Sequence, residues 1–366
     1  MPAVPTPTSQ PIRRALLVGL ALRAQPRWRV DDHLGELAEL ARSAGLEVAG
    51  SVIQTAAAPH VKTFIGPGKA EEVGRAARQL GADLLIFDDD LSASQVKALE
   101  ELCEVQVLDR SGLILELFRQ RARSREARTQ VELAQLNYLL PRLTRRWGHL
   151  SRQMGGTGTR GGEGETQLEA DRRALRRRIQ RLERDLETIE RTRGLQRRAR
   201  RDAFQVALAG YTNAGKSTLF NRLTHAEALA EDRLFATLDS KLKRGGLGGG
   251  KVAVFADTVG FIRKLPHHLV ASFRSTLEEI AAADLVLHVV DRSHPLWEEQ
   301  LQVGEQVLAD LGVPAEGRLT VFNKVDRLDP AELASRNGQG VWVSAATGEG
   351  LAEGLLPAVR SRLAAT

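Results

Sequence analysis

The chain has little cysteine, few aromatic residues and no long apolar run. Cys103 is the single cysteine among 366 residues, so neither an intrachain disulfide nor a cysteine-based metal site can form. Cys103 lies in an apolar-patterned stretch, which predicts a buried thiol. No apolar run reaches the roughly 20 residues that a membrane-spanning helix needs, and the Pro/Thr-rich start has no apolar signal core. We therefore expect a cytoplasmic protein with a disordered tail over residues 1–11.

The charge balance is basic. Lys and Arg total 52 against 46 Asp and Glu, a net charge of +6, and the pI is about 9.7. The guanidinium of arginine is a planar fork that suits phosphate. This balance is compatible with a nucleic-acid partner, and equally with a soluble protein from an arginine-rich proteome.

The first part of the chain, residues 12–112, alternates strand-like and helical patterns. The predicted strands are 15–22, 46–54, 82–90 and 105–110, and the predicted helices are 31–45, 68–81 and 92–104. Such alternation predicts a small parallel α/β domain. The turn FIGPGK (64–69) is interpreted as a strand–turn–helix junction, with a phosphate-cradling helix start as the alternative.

The middle part, residues 113–201, is patterned as two helices. Apolar residues recur at spacings of three and four: Leu133, Leu136, Leu140 and Leu143, then Leu175, Ile179, Leu182, Leu186 and Ile189. These are seams of a coiled coil, so we predict an antiparallel helical hairpin. Pro141 is expected to kink the first helix. The glycine-rich stretch 155–164 then forms the tip of the hairpin rather than an interdomain linker.

Arginines outnumber acids at the start of the second helix. Arg172, Arg173, Arg176 and Arg177 lie there, and Arg160 lies in the tip loop. A solvated face with i,i+4 ion pairs is one interpretation. The excess of arginine favours RNA contact, and we predict that these five residues bind RNA.

The last part, residues 202–366, again alternates strands and helices. The predicted strands are 204–210, 251–257, 284–291, 318–324 and 340–345. Several are near-continuous apolar runs, as in strands buried on both faces of a parallel sheet. The fold class is therefore α/β throughout, with a mainly parallel sheet in this domain.

The stretch GYTNAGKS, 210–217, matches G-x-x-x-x-G-K-[ST] between a predicted strand and a predicted helix. In this phosphate-binding loop, backbone N–H groups and the helix N-terminus attract phosphate oxygens. Lys216 is predicted to neutralise β/γ-phosphate oxygens, and Ser217 to bind Mg²⁺.

Three further motifs each follow a predicted strand. DTVG (257–260) offers Asp257 to Mg²⁺ through water and the Gly260 N–H to a γ-phosphate. NKVD (323–326) offers Asp326 to the guanine N1–H and amine, and SAATGEG (344–350) offers the Ala345 N–H to guanine O6. Adenine would leave the carboxylate unsatisfied. Together the motifs predict a GTPase site at the carboxyl ends of the strands.

Thr237, between the first two motifs, is predicted to complete the Mg²⁺ shell in a switch loop. The catalytic candidates are Lys216, Thr237 and Gly260. The predicted nucleotide-binding residues are Gly210, Tyr211, Thr212, Asn213, Ala214, Gly215, Lys216, Ser217, Thr218, Phe235, Ala236, Thr237, Asp257, Thr258, Val259, Gly260, Asn323, Lys324, Asp326, Ser344, Ala345 and Ala346.

Two details bear on the rate of hydrolysis. After DTVG come Phe261 and Ile262 instead of the glutamine that positions water in Ras-type GTPases. We therefore expect slow intrinsic hydrolysis. Asn213 stands where potassium-dependent GTPases carry a K⁺-ligating asparagine, so K⁺ is a candidate cofactor beside Mg²⁺. The alternative is that Asn213 caps the turn.

The four motifs, FIGPGK, LFATLDS (234–240), DTVGFIRKLPHHLVASFRSTLEE (257–279) and GGTGTRGGEGETQLEADRR (155–173) resemble the HflX family of GTPases, from about residue 12 onward. The resemblance implies a cytoplasmic, monomeric GTPase that binds GTP and GDP and docks on rRNA and proteins of the large ribosomal subunit. It also implies splitting of stalled or idle 70S ribosomes under stress, hydrolysis stimulated by the ribosome, and at most transient membrane association.

The sequence departs from the family after LFATLD, where Pro and Thr are usual and Ser240, Lys241 and Leu242 stand instead. A second switch-loop threonine is therefore missing. The chain ends soon after its last helix, so we expect no additional C-terminal domain. Two other functions stay open: a GTP-dependent remodelling factor for free RNA, and a GTPase switch that binds protein without RNA.

Overall fold

The computed structural model describes residues 13–23, 26–143, 164–198, 203–225, 235, 238, 241–264, 279–334 and 340–365. The chain divides into two compact units, Met1–Gln120 with Tyr138–Gly148, and Arg121–Asn137 with His149–Thr366. The predicted tail and nearly all of the glycine-rich stretch lie outside the described residues. The three-domain division at 112/113 and 201/202 stays a prediction.

The first unit contains a four-stranded sheet. Its elements are β1 (Arg14–Leu22), α1 (Arg27–Ser43), β2 (Glu47–Ala56), α2 (Pro67–Gln79), β3 (Leu84–Phe87), α3 (Ala93–Cys103), β4 (Gln106–Asp109) and α4 (Arg110–Arg121). The strand order is β2-β1-β3-β4, and every pair is parallel. The predicted small parallel α/β domain is confirmed.

Local contacts explain where these elements begin and how they pack. Ser92 begins α3 through a capping box: its hydroxyl accepts from Gln95 N at 3.2 Å, and its own N–H donates to Gln95 Oε1 at 2.9 Å. Cys103 is buried as predicted, and burial raises the pKa of its thiol to about 11. At the FIGPGK turn, Gly66 N–H donates to Gln54 Oε1 at 2.9 Å, so the protein itself uses a donor that a phosphate would need.

The helical region contains α5 (Arg125–Leu139), a 3₁₀ turn (Leu140–Arg142) and α6 (Gly164–Arg198). At Pro141 the helix α5 ends, because proline lacks the N–H that would continue the helix and its ring clashes with the preceding turn. Residues 144–163, where a kinked helix would continue, lie outside the described residues, so the kink stays a prediction. The seam of α6 shows in its burial: Ile179 and Leu182 are buried, while Arg176 and Arg177 are exposed.

The second unit contains a six-stranded sheet. Its elements are β5 (Gln205–Gly210), α7 (Lys216–Thr224), β6 (Lys241–Gly248), β7 (Lys251–Asp257), β8 (Leu285–Asp291), α8 (Trp297–Asp310), β9 (Arg318–Asn323), α9 (Pro330–Ala334), β10 (Val341–Trp342), a π-helical turn (Leu351–Leu355) and α10 (Leu356–Ala365). The order is β10-β9-β8-β5-β7-β6, and the β6–β7 pair alone is antiparallel.

The central strands of this sheet are buried on both faces, as their apolar runs predicted. All seven residues of β8 are buried, and two clusters of apolar side chains cover the sheet. The sequence did not predict β6, because KLKRGGLG is rich in glycine and lysine, which are depleted in strands. Among the described helices, none combines the length and hydropathy needed to cross a bilayer.

Candidate nucleotide site

The loop between β5 and α7 is built around Lys216. The side chain of Lys216 is buried, and its Nζ donates to Gly210 O at 3.0 Å and to Tyr211 O at 2.7 Å. Gly215 precedes the helix with φ +91°, and a Cβ there would lie 2.2 Å from Asn323 Nδ2. Only glycine satisfies both conditions. The loop therefore wraps closely around an ammonium group at a helix N-terminus.

Burial lowers the pKa of Lys216 to about 8. The neighbouring Lys324 lowers this pKa further, whereas the carboxylate of Asp257 opposes the shift. The charged form thus lacks the stabilisation that water would provide. A phosphate placed in the loop would supply it.

An oxygen pair lies beside this lysine. Ser217 Oγ donates to Asp257 Oδ2 at 2.8 Å, and Asp257 is fully buried at the end of β7. Hydroxyl and carboxylate oxygens are ligands that Mg²⁺ favours, together with phosphate oxygens of a bound nucleotide. The two residues fit the predicted magnesium site.

The segment after β7 is joined to the phosphate-binding loop by backbone hydrogen bonds. Phe261 N donates to Gly210 O at 2.8 Å, and Thr212 N donates to Phe261 O at 2.7 Å. A Cβ on Gly260 would lie 2.9 Å from Lys216 Nζ, so the backbone of Gly260 passes beside the lysine. The motif that was predicted to sense a γ-phosphate therefore lies against the motif that was predicted to hold it.

Asn323, at the end of β9, ties two loops together. Its Nδ2 donates to Ala214 O at 2.8 Å, and its Oδ1 accepts from Ala345 N at 2.9 Å. Ser344 Oγ donates to Asp326 Oδ1 at 2.5 Å. The phosphate-binding loop, NKVD and SAATGEG thus meet at one edge of the sheet.

Two residues that the sequence analysis missed support the same edge. Asp291, the last residue of β8, pairs with Lys324 at 2.7 Å between Oδ2 and Nζ. Arg222 donates its Nε to Ala345 O at 3.1 Å and a second nitrogen to Ala346 O. The signal available for Asp291 was its position at the carboxyl end of a predicted strand; Arg222 had none.

The predicted nucleotide-binding residues are placed as follows. The ranges 210–218, 257–260, 323–326 and 344–346 lie at the carboxyl ends of β5, β7, β9 and β10 and at the start of α7. Phe235 is buried, with φ +55°. Ala236, Thr237 and Arg160 lie outside the described residues, so Thr237 stays a predicted Mg²⁺ ligand. Arg172, Arg173, Arg176 and Arg177 lie on α6, away from these motifs in sequence.

Family models match three consecutive parts of the chain: GTP-binding GTPase N-terminal at residues 31–119, GTP-binding GTPase Middle Region at 121–200, and 50S ribosome-binding GTPase at 205–324. GTPase HflX of Magnetococcus marinus is 49% identical over 332 residues, covering 89% of this chain and 77% of that protein. GTPase HflX of Escherichia coli K12 is 47% identical over 339 residues, covering 91% and 79%. The chain belongs to the HflX family of GTPases.

The HflX assignment agrees with the fold. The crystal structure of the SsGBP and GDP complex matches with a TM-score of 0.51 and 24% identity, covering 96% of this chain and 97% of that one. As a member of the HflX family of GTPases, this chain is a GTP-binding protein that hydrolyses GTP. Mg²⁺, when bound with the nucleotide at such a site, neutralises charge on the phosphate oxygens.

Proposed function

We propose that this HflX protein is a GTP-dependent factor that binds the large ribosomal subunit and splits stalled or idle 70S ribosomes. Its partners are rRNA and ribosomal proteins, it works as a monomer in the cytoplasm, and any membrane association is transient. The 50S ribosome-binding GTPase model matched at 205–324 supports the partner. The geometry of the GTP site supports a nucleotide-controlled cycle.

The observation that carries RNA binding is the arginine face of α6. Arg173, Arg176 and Arg177 are exposed, and within the described part of the chain they form no ion pair. Arg178 instead donates to both carboxylate oxygens of Glu132 on α5, at 2.7 and 2.9 Å. One arginine is therefore used to join two helices, while its neighbours keep their charge for phosphate.

The proposed catalytic roles combine the sequence motifs with the geometry of the described residues. Lys216 neutralises the β- and γ-phosphate oxygens, and the N–H of Gly260 bonds the γ-phosphate. Ser217 and Thr237 would hold Mg²⁺, to which Asp257 would contribute through water. Asp326 accepts from guanine, and Lys324 lies along the base. These groups position and stabilise charge in phosphoryl transfer.

The ribosome is proposed to complete the catalytic site. Phe261 and Ile262 follow Gly260, and both side chains are buried. Neither supplies a polar atom that could orient the attacking water. Hydrolysis by the free protein is therefore slow, and the large subunit stimulates it by ordering the water or the switch loop.

Potassium is proposed as a second cation. Asn213 has φ +61° and an exposed side chain, and within the described residues its side chain forms no hydrogen bond that would cap the turn. Its amide oxygen is thus available to a cation beside the phosphates. Equal GTPase rates in K⁺ and Na⁺ buffers with subunits present would remove this role.

Pelleting with purified large subunits tests the proposed function. We expect binding with a non-hydrolysable GTP analogue, weak binding with GDP, and a steep loss of affinity as salt increases. The variant Arg173→Gln/Arg176→Gln/Arg177→Gln should bind at least tenfold more weakly. Arg178→Gln, on the same helix but paired to Glu132, is the matched control and should change ribosome binding much less.

A second measurement separates the competing functions. Addition of the protein with GTP to 70S particles should increase free subunits on a gradient, and subunits should accelerate its GTPase. Equal affinity for protein-free structured RNA would indicate a remodelling factor. Binding that ignores both salt and the triple variant would indicate a protein-binding switch, and no binding to subunits in any nucleotide state would reject the proposal.

A further inference from the structure

Strand β6 forms one edge of the six-stranded sheet and carries only basic charge. It pairs with β7, and its outer edge meets no other strand among the described residues. Between residues 241 and 256 there are four cations and no acid: Lys241, Lys243, Arg244 and Lys251. All four are exposed. We call these four residues the basic edge.

The charges of the basic edge are not used within the described part of the chain. None of the four residues forms an ion pair there, and Lys243 makes only a 3.3 Å hydrogen bond to His225 O. A fifth cation adds to the patch: the guanidinium of Arg360 lies 3.3 Å from where a Cβ of Gly248 would stand. The result is a concentrated positive potential along one strand.

The backbone of this hairpin is open to a close approach. Gly246 and Gly250 have no atom within 4 Å of the position where a Cβ would be. Glycines within or beside a strand allow another backbone to come near. Strand β6 contains no aromatic residue, so it lacks the stacking platforms that proteins use to read unpaired bases. This chemistry fits a phosphate backbone better than base recognition.

The basic edge also adjoins the nucleotide site. Lys241 pairs in register with Asp257, whose carboxylate bonds Ser217. The strand therefore begins beside the predicted Mg²⁺ site and runs away from it to the Gly248–Gly250 turn. Anything bound along the strand contacts the element that leads directly from the switch region.

We infer that the basic edge is a second RNA-binding surface, which contacts the phosphate backbone of large-subunit rRNA. The identity of the partner, large-subunit rRNA, rests on the proposed function. The position of the surface does not, because the basic edge is separate from the arginines of α6. Lys241 and Lys243 point to one face of the strand about 6.6 Å apart, and Arg244 points to the other face. Lys251, which pairs with Gly248, extends the basic edge at the turn.

The test uses the variant Lys241→Gln/Lys243→Gln/Arg244→Gln/Lys251→Gln. We expect its affinity for purified large subunits to fall at least tenfold at physiological salt. The plot of log affinity against log salt should become shallower, with the magnitude of its slope smaller by about 3, because about four phosphate contacts are lost. Affinity for protein-free large-subunit rRNA should fall in parallel, while GDP affinity and the melting temperature stay unchanged.

The matched control is Leu242→Ser/Val252→Ser, which changes two exposed apolar residues of the same hairpin without changing charge. The inference would be overturned if the four-glutamine variant bound both large subunits and protein-free rRNA with wild-type affinity and wild-type salt dependence. That result would leave the proposed function untouched. A loss confined to the control variant would also overturn it and would indicate an apolar protein partner. If the wild type does not bind subunits, the proposed function fails, and the rRNA arm still decides whether the basic edge binds RNA.

Discussion

The parallel strands of the two sheets end in two different kinds of carboxyl edge. In the first unit, Asp109 ends β4 and is fully buried. Its two oxygens accept from Tyr138 Oη at 2.7 Å, Arg142 Nη2 at 2.8 Å, Gly112 N at 2.9 Å and Leu91 N at 3.2 Å. The carboxylate is satisfied by the chain itself.

Arg110, the next residue, continues this pattern. It is buried and pairs with Asp88 at 2.7 Å and with Glu36. Charges at this edge therefore neutralise one another. The same edge of the second sheet instead presents glycine turns, backbone donors and a lysine whose pKa burial has lowered. The carboxyl edge of neighbouring parallel strands can thus be closed with ion pairs or left ready for an anionic ligand.

The largest effect is expected from a substitution at the carboxyl edge of the first sheet, which we call the closed edge because Asp109 and Arg110 are satisfied there by the chain itself. Asp109→Ala would leave the Arg142 guanidinium and the Tyr138 hydroxyl without their carboxylate, and should lower the free energy of unfolding of the first unit by about 3 kcal/mol. Urea denaturation measures this loss. Glu116→Gln, which removes a largely exposed pair with Arg119, is the control and should cost about 0.5 kcal/mol. An equally small loss for Asp109→Ala would contradict the role of the network.

A smaller effect is expected from a substitution at the carboxyl edge of the second sheet, the open edge, where the nucleotide motifs meet. Asn323→Ala removes the amide that joins Ala214 and Ala345, and leaves a buried carbonyl and a buried N–H unsatisfied. Without this amide the two loops lose their fixed positions in the free protein, and GDP binding must reorder them at a cost of about 2 kcal/mol. This cost corresponds to GDP binding weakened about 30-fold, measurable with a fluorescent GDP analogue. Arg327→Ala, at an exposed neighbouring position, should bind GDP normally. Normal GDP binding by Asn323→Ala would show that the two loops hold their positions without it.

The sequence predicted the open edge better than the closed one. The phosphate-binding loop and NKVD are short motifs, and each follows an apolar run that predicted its strand. The network around Asp109 depends on Tyr138 and Arg142, about 30 residues away, and nothing in local pattern indicates that approach. Lys324 was predicted as a nucleotide-binding residue, but its pairing with Asp291 could be found only from the fold.

Two elements show why prediction of secondary structure from the local sequence pattern fails. Strand β6 exists because β7 supplies hydrogen-bonding partners, although the propensities of its glycines and lysines oppose a strand. The leucine seam predicted a helix that passes Pro141 with a kink, but α5 ends at Leu139, because proline lacks the N–H that would continue the helix. In the first case tertiary pairing overrides propensity, and in the second one covalent constraint overrides periodicity.

The smallest expected effect sharpens the contrast through pH. In the nucleotide-free protein the pKa of Lys216 is about 8, lowered by burial from 10.5, whereas bound phosphates favour the charged lysine and raise its pKa. GDP binding therefore takes up a proton above pH 8 and none well below it. The dissociation constant of GDP should be flat below about pH 7 and should approach a tenfold increase per pH unit above pH 8.

Titration calorimetry between pH 6 and 9 would measure both the affinity and the proton uptake. Lys216→Arg is the matched control, because its guanidinium stays charged over this range and its GDP affinity should not follow the wild-type curve. The same burial has an opposite consequence for unfolding. Between pH 8 and 10.5 the unfolded chain binds more protons at this lysine than the folded one, so Lys216 makes the nucleotide-free protein more stable as pH rises. A pH-independent GDP affinity with no proton uptake would mean that Lys216 is already fully charged without phosphate. The charges of the open edge would then need a ligand no more than those of the closed edge do.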